Sequence, residues 1–271
     1  MSLRRADDRL RTALVTGACS GIGRAIAELL GSLGYTLILA SNREGPLGEA
    51  AAQIRAAHGV AAHPVVVDLA RPGGASTLVD AVDVLGIEVD ILVNNAGIFF
   101  FGEVADADPA RAEALLHLHV LTPSLLCTHL GRRMRDRGRG EVLIVASIAA
   151  FRDFPGIAYY GSSKKYLRGF ARALRCELRP YGVNVTCLCP GATATGLYDP
   201  SVIPVELGKR LGVMMDPEAV ARAGVEAMFD GQSEVVPGAL TRVMTAAAVA
   251  IPQPAIDWLR RHGPWMRRRR R

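Results

Sequence analysis

The feature that most constrains the fold is a regular alternation of short apolar runs and helical patterns along the chain. Apolar runs at residues 12–16, 35–40 and 90–93 are nearly continuous rather than alternating, and each is followed by a helical pattern. Continuous apolar strands are typical of parallel sheets that are covered on both faces. The sequence therefore predicts an α/β fold, a doubly wound, Rossmann-like parallel sheet of about seven strands with helices on both faces.

Polar and glycine residues collect at the positions where the predicted strands end. In a doubly wound sheet, ligands bind beyond the carboxyl ends of the strands. We therefore expect six separate segments to form one ligand site at that edge. In chain order, these segments are Gly17, residues 41–43, Asp68, residues 94–97, Ser147 and residues 190–191.

A glycine-rich turn, TGACSGIG at residues 16–23, joins the first predicted strand to the first predicted helix. Gly17, Gly21 and Gly23 allow a sharp turn, a close approach to a pyrophosphate and tight packing of helix on strand. The helix that follows offers free N–H groups and the positive end of its dipole to phosphates. A glycine-rich turn without a ligand is the alternative, but the strand–turn–helix position favours a dinucleotide site.

The stretch YYGSSKKY at residues 159–166 contains a candidate acid–base pair. Tyr160 and Lys164 are four residues apart, so on a helix they lie on one face, at roughly 5–6 Å between Cβ atoms. A nearby lysine cation favours the phenolate and lowers the pKa of a tyrosine from its ordinary value of about 10. Tyr160 is therefore a candidate acid–base residue, with the solvated face of an ordinary helix as the alternative, and Lys165 is expected on the surface.

Four motifs in this order resemble the classical short-chain dehydrogenase/reductase family. They are TGxxxGIG at residues 16–23, NNAG at residues 94–97, a serine thirteen residues before a YxxxK tyrosine, and PGxxxT at residues 190–195. The resemblance covers about residues 10–240. It implies an NAD(P)-dependent oxidoreductase acting on a CH–OH or C=O group, and a homodimer or homotetramer joined through the helices at about 110–135 and 159–179.

The resemblance also implies roles for individual residues. Tyr160 would be the general acid or base, Lys164 would lower its pKa and bind the nicotinamide ribose, and Ser147 would hold the substrate oxygen. The hydride itself belongs to the cofactor. With Tyr160 and Lys164, the expected cofactor-binding residues are Gly17, Cys19, Ser20, Gly21, Ile22, Gly23, Ser41, Asn42, Arg43, Asp68, Leu69, Asn95, Ala96, Gly97, Pro190, Gly191, Thr193 and Thr195.

The end of the second predicted strand favours NADP(H) over NAD(H). Ser41 stands where an NAD enzyme usually carries a carboxylate for the ribose diol, and Asn42 and Arg43 follow it. An arginine at this place accommodates a 2′-phosphate. NADPH-dependent relatives often carry that arginine one position earlier, where this chain has Asn42.

His119 marks a departure from the family pattern. Relatives usually carry an asparagine on this helix, where it steadies a water in the proton path behind the lysine. His119 takes that place, 28 residues before Ser147. Imidazole titrates near neutrality, so we hypothesise that His119 holds this water or relays a proton. A buried histidine that only fills space is the alternative.

The substrate site is expected to be apolar. Phe99, Phe100 and Phe101 follow the NNAG turn and are candidates for its wall, with ordinary core packing as the alternative. This composition favours an apolar ketone, aldehyde or secondary alcohol over a sugar phosphate. In the segment that forms the substrate lid of relatives, the apolar residues are Leu197, Tyr198, Val202, Ile203, Leu207, Leu211, Val213 and Met214.

We assign residues 1–238 to one dinucleotide-binding and catalytic domain and residues 239–271 to an extension with a basic tail. The five arginines at residues 267–271 supply most of the net charge of +6, which leaves +1 for the rest. A nucleic-acid-binding face is therefore not expected. Trp258 and Trp265 stand among arginines, which suits packing within the protein, a subunit contact or a membrane surface. Packing within the protein or its oligomer is the expectation.

Neither a metal site nor a targeting segment is predicted. The five cysteines are scattered without metal-ligand spacing, and Cys187 and Cys189 are expected to point to opposite faces of the sixth strand. The first twelve residues lack an apolar signal region, and no run of 18 apolar residues occurs, so we expect a cytoplasmic protein with free thiols. The alternative function is a non-catalytic dinucleotide-binding regulator.

Overall fold

The sheet has seven parallel strands in the order β3-β2-β1-β4-β5-β6-β7. The structure is a computed structural model that describes residues 12–195 and 214–262. The side chains of residues 259 and 260 are not described. The predicted α/β fold class and strand number are confirmed. The strands are β1 (Thr12–Thr16), β2 (Thr36–Ser41), β3 (Ala62–Val66), β4 (Ile91–Asn94), β5 (Gly140–Val145), β6 (Val183–Leu188) and β7 (Glu234–Val235).

Helices cover both faces of this sheet. The helix predicted over about residues 110–135 is in fact two helices, because a π-helical turn at His117–Leu121 separates them. Within the described ranges, no helix combines the length and the apolar character needed to cross a bilayer. The helices are α1 (Gly21–Ser32), α2 (Glu44–His58), α3 (Gly74–Leu85), α4 (Pro109–Leu116), α5 (Thr122–Arg137), α6 (Ala158–Leu178), α7 (Pro217–Phe229), α8 (Ala239–Ala250) and α9 (Gln253–His262).

Two hydrophobic cores lie on opposite faces of the sheet, and β1 contributes to both. Leu14 packs into the core that also contains residues of α3, α5 and α6. Ala13 and Val15 pack into the other core, against α1, α2 and α7. All five residues of β1 are buried, which is why its sequence is apolar at successive positions.

Cys187 and Cys189 lie on the same face of the sheet, so the prediction of opposite faces was wrong. Side chains alternate along a strand, and residues two apart therefore share a face. The two sulfur atoms are 3.7 Å apart in one core. The hydrogen bond between them and burial raise the pKa of Cys189, which keeps this thiol neutral. The carboxylate of the nearby Glu234 pairs with Arg168, at 2.5 and 3.0 Å.

The ends of β1 and β4 are held together at the point where the strand order reverses. The Thr16 hydroxyl accepts the backbone N–H groups of Asn95 (2.9 Å) and Ala96 (3.1 Å) and donates to the Val93 carbonyl (3.1 Å). The Asn95 amide in turn donates to the Thr16 carbonyl at 2.9 Å. These bonds fix the two strand ends where an α/β sheet of this kind binds its ligands.

Thr16→Val is expected to destabilise the fold. The change keeps the side-chain volume but leaves two N–H groups and one carbonyl without this partner. A buried polar group left unsatisfied costs about 1–3 kcal/mol, so we expect the free energy of unfolding in urea to fall by about 2–5 kcal/mol. Thr36→Val, at the half-buried start of β2, is the matched control and should change it by less than about 0.5 kcal/mol. Equal losses in both variants would contradict the assigned role of Thr16.

Candidate active site

A cavity of about 530 Å³ opens at the carboxyl ends of the strands and brings together almost all the predicted site residues. Every residue predicted for catalysis or cofactor binding lines it except Gly23. Sequence reasoning did not assign the remaining lining residues to the cofactor or catalytic set. They are Val67, Ala70, Ile98, Phe99, Arg111, Leu118, Val145 and Ala146.

The glycine-rich turn is shaped by contacts that leave no room for side chains. Gly17 and Gly21 have positive φ angles of 67° and 56°, which glycine adopts without strain. A Cβ atom on Gly17 would lie 2.9 Å from the Asn95 amide nitrogen, and one on Gly21 would lie 2.8 Å from Thr195. A Cβ atom on Gly23 would collide with the Gly17 carbonyl, so Gly23 serves helix packing instead of lining the cavity.

The N-terminus of α1 has the properties of an anion site. Ser20 precedes the helix, but its side chain makes no capping hydrogen bond. Its hydroxyl instead accepts a hydrogen bond from Arg43 at 2.7 Å. The first N–H groups of α1 therefore have no cap from Ser20, and Gly21 and Ile22 of this first turn line the cavity, which suits a bound phosphate.

A polar cluster forms the end of the cavity beside β2. The Arg43 guanidinium lies 3.0 Å from the Cys19 sulfur, and Ser41 Oγ lies 3.0 Å from the same sulfur. Burial raises the pKa of Cys19, but the hydrogen bonds from Ser41 and Arg43 and the charge of Arg43 outweigh it, so the pKa is lowered. Asn42 lines the cavity next to this cluster. The cluster thus stabilises negative charge at this end.

The end of β3 is fixed by side-chain bonds. The Asp68 carboxylate accepts the Ala70 N–H at 3.0 Å and pairs with Arg71 at 3.1 Å. The Leu69 carbonyl accepts the hydroxyl of Thr122 at 2.7 Å. Asp68 and Leu69 are thereby held in the cavity wall.

Lys164 is a buried cation at the end of β5. Its ammonium donates to the Val145 carbonyl at 3.0 Å and lies 5.7 Å from the centre of the Tyr160 ring. Burial lowers its pKa to about 8, so the ammonium form still predominates at pH 7. Ser147 follows β5, and its hydroxyl accepts the Ala149 N–H at 3.1 Å.

Tyr160 is distinguished from its neighbours by position. It is buried, lines the cavity, and makes edge-to-face contacts with Phe99 at 5.0 Å and His119 at 5.8 Å between ring centres. Tyr159 instead packs against Phe100. Lys165 is partly exposed and pairs with Asp153 at 2.5 Å, as expected for a surface residue.

His119 bridges the loop after β4 and helix α6. Its Nε2 accepts the Ile98 N–H at 3.0 Å, and its Nδ1 lies 2.9 Å from the hydroxyl of Ser163. That hydroxyl donates to the Tyr160 carbonyl at 2.8 Å, so the proton shared with His119 belongs to Nδ1. Burial and the charge of Lys164 lower the pKa of His119 well below its ordinary value, so the ring is neutral at pH 7.

Gly97 provides the space that this bridge requires. A Cβ atom there would lie 2.9 Å from Nε2 of His119. His119 itself belongs to the π-helical turn between α4 and α5 and is buried. The NNAG turn and the π-helical turn therefore fit each other closely.

The structure describes only part of the wall that is expected to contact the substrate. Phe99 lines the cavity, whereas Phe100 is buried beside it and Phe101 is exposed. Arg111 donates to the Phe99 carbonyl at 3.2 Å; an exposed helix arginine gives no sequence signal for such a position. The predicted lid residues from 197 to 213 lie outside the described ranges, and Met214 is buried.

The sequence matches known proteins over most of its length. Residues 11–202 match the family model described as short chain dehydrogenase. The chain is 31% identical over 252 residues to an uncharacterized oxidoreductase of Myxococcus xanthus (strain DK1622), covering 93% of this chain and 97% of that one. It is 34% identical over 186 residues to dehydrogenase/reductase SDR family member 4 of Homo sapiens, covering 68% of this chain and 66% of that one.

Solved structures of similar proteins have the same fold. A short-chain dehydrogenase from Sphingobium yanoikuyae in complex with NADPH matches with a TM-score of 0.76 and 27% identity, covering 90% of this chain and 97% of that one. L-sorbose reductase from Gluconobacter frateurii, complexed with NADPH and L-sorbose, matches with a TM-score of 0.75 and 28% identity, covering 89% and 99%. The chain belongs to the short-chain dehydrogenase/reductase family and is an NAD(P)-dependent oxidoreductase.

Proposed function

We propose that the protein interconverts an apolar ketone or aldehyde and the corresponding alcohol with NADP(H), and that Tyr160 is its acid–base residue. The observation that carries this proposal is the common cavity of Ser147, Tyr160, Lys164 and the glycine-rich turn. An acid–base group and a dinucleotide site are both needed for this reaction, and the residues proposed for the two line the same cavity.

The proposed proton transfer depends on Lys164. As a buried cation on the same helix face, it favours the phenolate form of Tyr160 and brings the pKa of the phenol closer to the working pH. Its hydrogen bond to Val145 fixes the ammonium against the end of β5. Ser147 accepts the Ala149 N–H through its oxygen, and this bond orients the hydroxyl without using its proton, which would donate to the substrate oxygen.

The cavity fits a nicotinamide dinucleotide, which when bound supplies or accepts the hydride. The α1 N-terminus and the turn at Gly17 and Gly21 would hold the pyrophosphate. Asp68 and Leu69 would flank the adenine, and Lys164 would bind the nicotinamide ribose. The other proposed contacts are Ile22, Asn95, Ala96, Gly97, Pro190, Gly191, Thr193 and Thr195.

The cluster beside β2 supports NADP(H) over NAD(H). Arg43 is held over Ser20 and Cys19, which places a guanidinium beside the first turn of α1. A guanidinium binds phosphate oxygens well, whereas an unsubstituted ribose gains nothing from it. Ser41 adds a hydroxyl rather than the carboxylate that would repel a 2′-phosphate.

Arg43→Ala is expected to weaken NADPH selectively. Loss of a charge-assisted hydrogen bond costs about 1.5–3 kcal/mol, so KM for NADPH should rise by about ten- to a hundredfold while KM for NADH changes little. Arg135→Ala, an exposed arginine paired with Asp136, is the matched control. A wild type with a much lower KM for NADH, or equal changes for both cofactors, would refute the preference.

Tyr160→Phe is expected to lower kcat by about 10²–10⁴-fold, because the ring is kept and only the transferable proton is lost. NADPH binding, measured by cofactor fluorescence, should change little. Tyr159→Phe is the control, since that ring packs on Phe100 outside the cavity. The measurement uses a panel of apolar ketones and secondary alcohols. A wild type no faster than Tyr160→Phe on the whole panel would favour the regulator without catalysis.

The hydrogen bonds of His119 support a positioning role rather than the relay suggested by its sequence position. A relay requires a ring nitrogen to gain and release a proton, but Nε2 accepts from Ile98 and Nδ1 donates to Ser163. The neutral ring instead ties the loop after β4 to the Tyr160 backbone. His119 would thus act through Tyr160.

His119→Ala is expected to lower kcat by about ten- to a hundredfold, since a small displacement of an acid–base group is costly. His119→Asn should recover most of the loss, because a carboxamide offers both an acceptor for Ile98 and a donor for Ser163. Ser163→Ala should lower kcat as well, and no variant should change the shape of the pH profile. A changed pH profile in His119→Ala would support the relay. An unchanged kcat in that variant would show that His119 only fills space.

The cavity that contains Tyr160 has an apolar part formed by Ile98, Phe99 and Leu118, which supports an apolar substrate. We also propose a homodimer or homotetramer through α4, α5 and α6, where Leu116, Leu125 and Tyr166 are exposed. All five cysteines are free thiols, which supports a reducing, cytoplasmic location.

A further inference from the structure

We propose that α8 and α9 form a surface that binds an anionic lipid bilayer. The first observation is the orientation of α8. Its large apolar side chains Leu240, Val243, Met244 and Val249 are 44–67% exposed, whereas Thr241 and Thr245 are buried. A helix on a protein surface ordinarily buries its apolar stripe, and α8 does the reverse.

The reversed orientation is fixed by contacts on the buried side of α8. The Thr245 hydroxyl donates to the Thr241 carbonyl at 2.7 Å, so it is satisfied within the helix. Thr241 packs on Gly191, where a Cβ atom would lie 2.9 Å from its methyl group. A leucine or methionine in place of Thr241 would not fit this narrow contact. The apolar side of α8 is therefore left facing outward.

Helix α9 adds an exposed aromatic residue to the same segment. Ile256 is buried and anchors the helix, while Trp258 is 60% exposed and stacks on His262 with ring centres 4.9 Å apart. Gln253 is tied to Arg152 at 3.1 Å. Tryptophan prefers the headgroup level of a bilayer, because its amphipathic ring finds both apolar and polar surroundings there.

The charge of this segment is strongly positive. Residues 239–271 contain eight arginines and one acidic residue, Asp257, for a net charge of +7. The rest of the chain then carries −1. An exposed apolar helix within an arginine-rich stretch of sequence is the combination that binds anionic lipid headgroups.

The same charge argues against other occupants. A second copy of this surface would bring two segments of +7 together, which opposes association. Nucleic-acid interfaces are polar and use basic side chains, so they leave exposed residues such as Val243 and Met244 unexplained. An anionic bilayer satisfies both the charge and the apolar side chains.

The test is co-sedimentation of the full chain with vesicles of phosphatidylcholine alone or with 30% phosphatidylglycerol. We expect binding to the anionic vesicles, little binding to the neutral ones, and weaker binding at 500 mM than at 50 mM NaCl because salt screens the arginines. Brominated lipids should quench tryptophan fluorescence, and Trp258→Phe should lose part of that quenching.

Two sets of substitutions separate the apolar and basic contributions. The triple variant Leu240→Ser, Val243→Ser and Met244→Ser should weaken vesicle binding at least tenfold, and so should replacement of the arginines at residues 267–271 by serine. The control is Val84→Ser with Val104→Ser, exposed valines outside this segment and outside the proposed subunit interface. Circular dichroism establishes that each variant is folded.

Absence of binding to anionic vesicles would overturn the proposal, and so would equal binding by the triple variant. If Val243→Glu instead converts an oligomer to a monomer, and vesicles do not bind the wild type, the surface joins copies of the chain. Binding to RNA without binding to vesicles would assign the arginines to nucleic acid. None of these measurements depends on enzyme activity, so they are independent of the proposed reaction.

Discussion

The hydrogen bonds of Thr16 are the constraint on which the rest of the site depends. They hold the start of the NNAG turn against the end of β1, and the Gly17 backbone can approach Asn95 only because it has no side chain. From that turn, Ile98 reaches His119, and His119 reaches Tyr160 through Ser163. Hydrogen bonds and a short stretch of backbone therefore join the end of β1 to the backbone of Tyr160.

Lys164 supplies a buried positive charge beside this path, and His119 does not add a second one. Lys164 stays charged near pH 7 despite burial, and its charge helps to keep His119 neutral. Two adjacent buried cations would repel each other in a medium of low dielectric constant. The histidine thus serves as a hydrogen-bonding spacer, and the positive charge remains next to Tyr160.

Patterns of apolar residues predict the sheet well, because a strand buried on both faces leaves little choice of residue. The bounds of β1 agree with those predicted, and every predicted site residue except Gly23 lines the cavity, although eight further lining residues were not assigned. The π-helical turn at His117–Leu121 has no such signal, since it is a single turn whose hydrogen bonds span five residues instead of four. Helix α7 was missed although Asp216 and Pro217 form a typical helix start. The exposed apolar side of α8 cannot be predicted, because periodicity does not show which side faces the core.

The contact between Thr241 and Gly191 has a consequence for how the substrate reaches the site. It places the buried side of α8 directly on the wall of the cavity, while the other side of the helix faces outward. A protein resting on lipid through this helix would take an apolar compound from the pool dissolved in the membrane. Its apparent KM, expressed as a concentration in water, would then vary with the amount of lipid and with the partition coefficient of the compound.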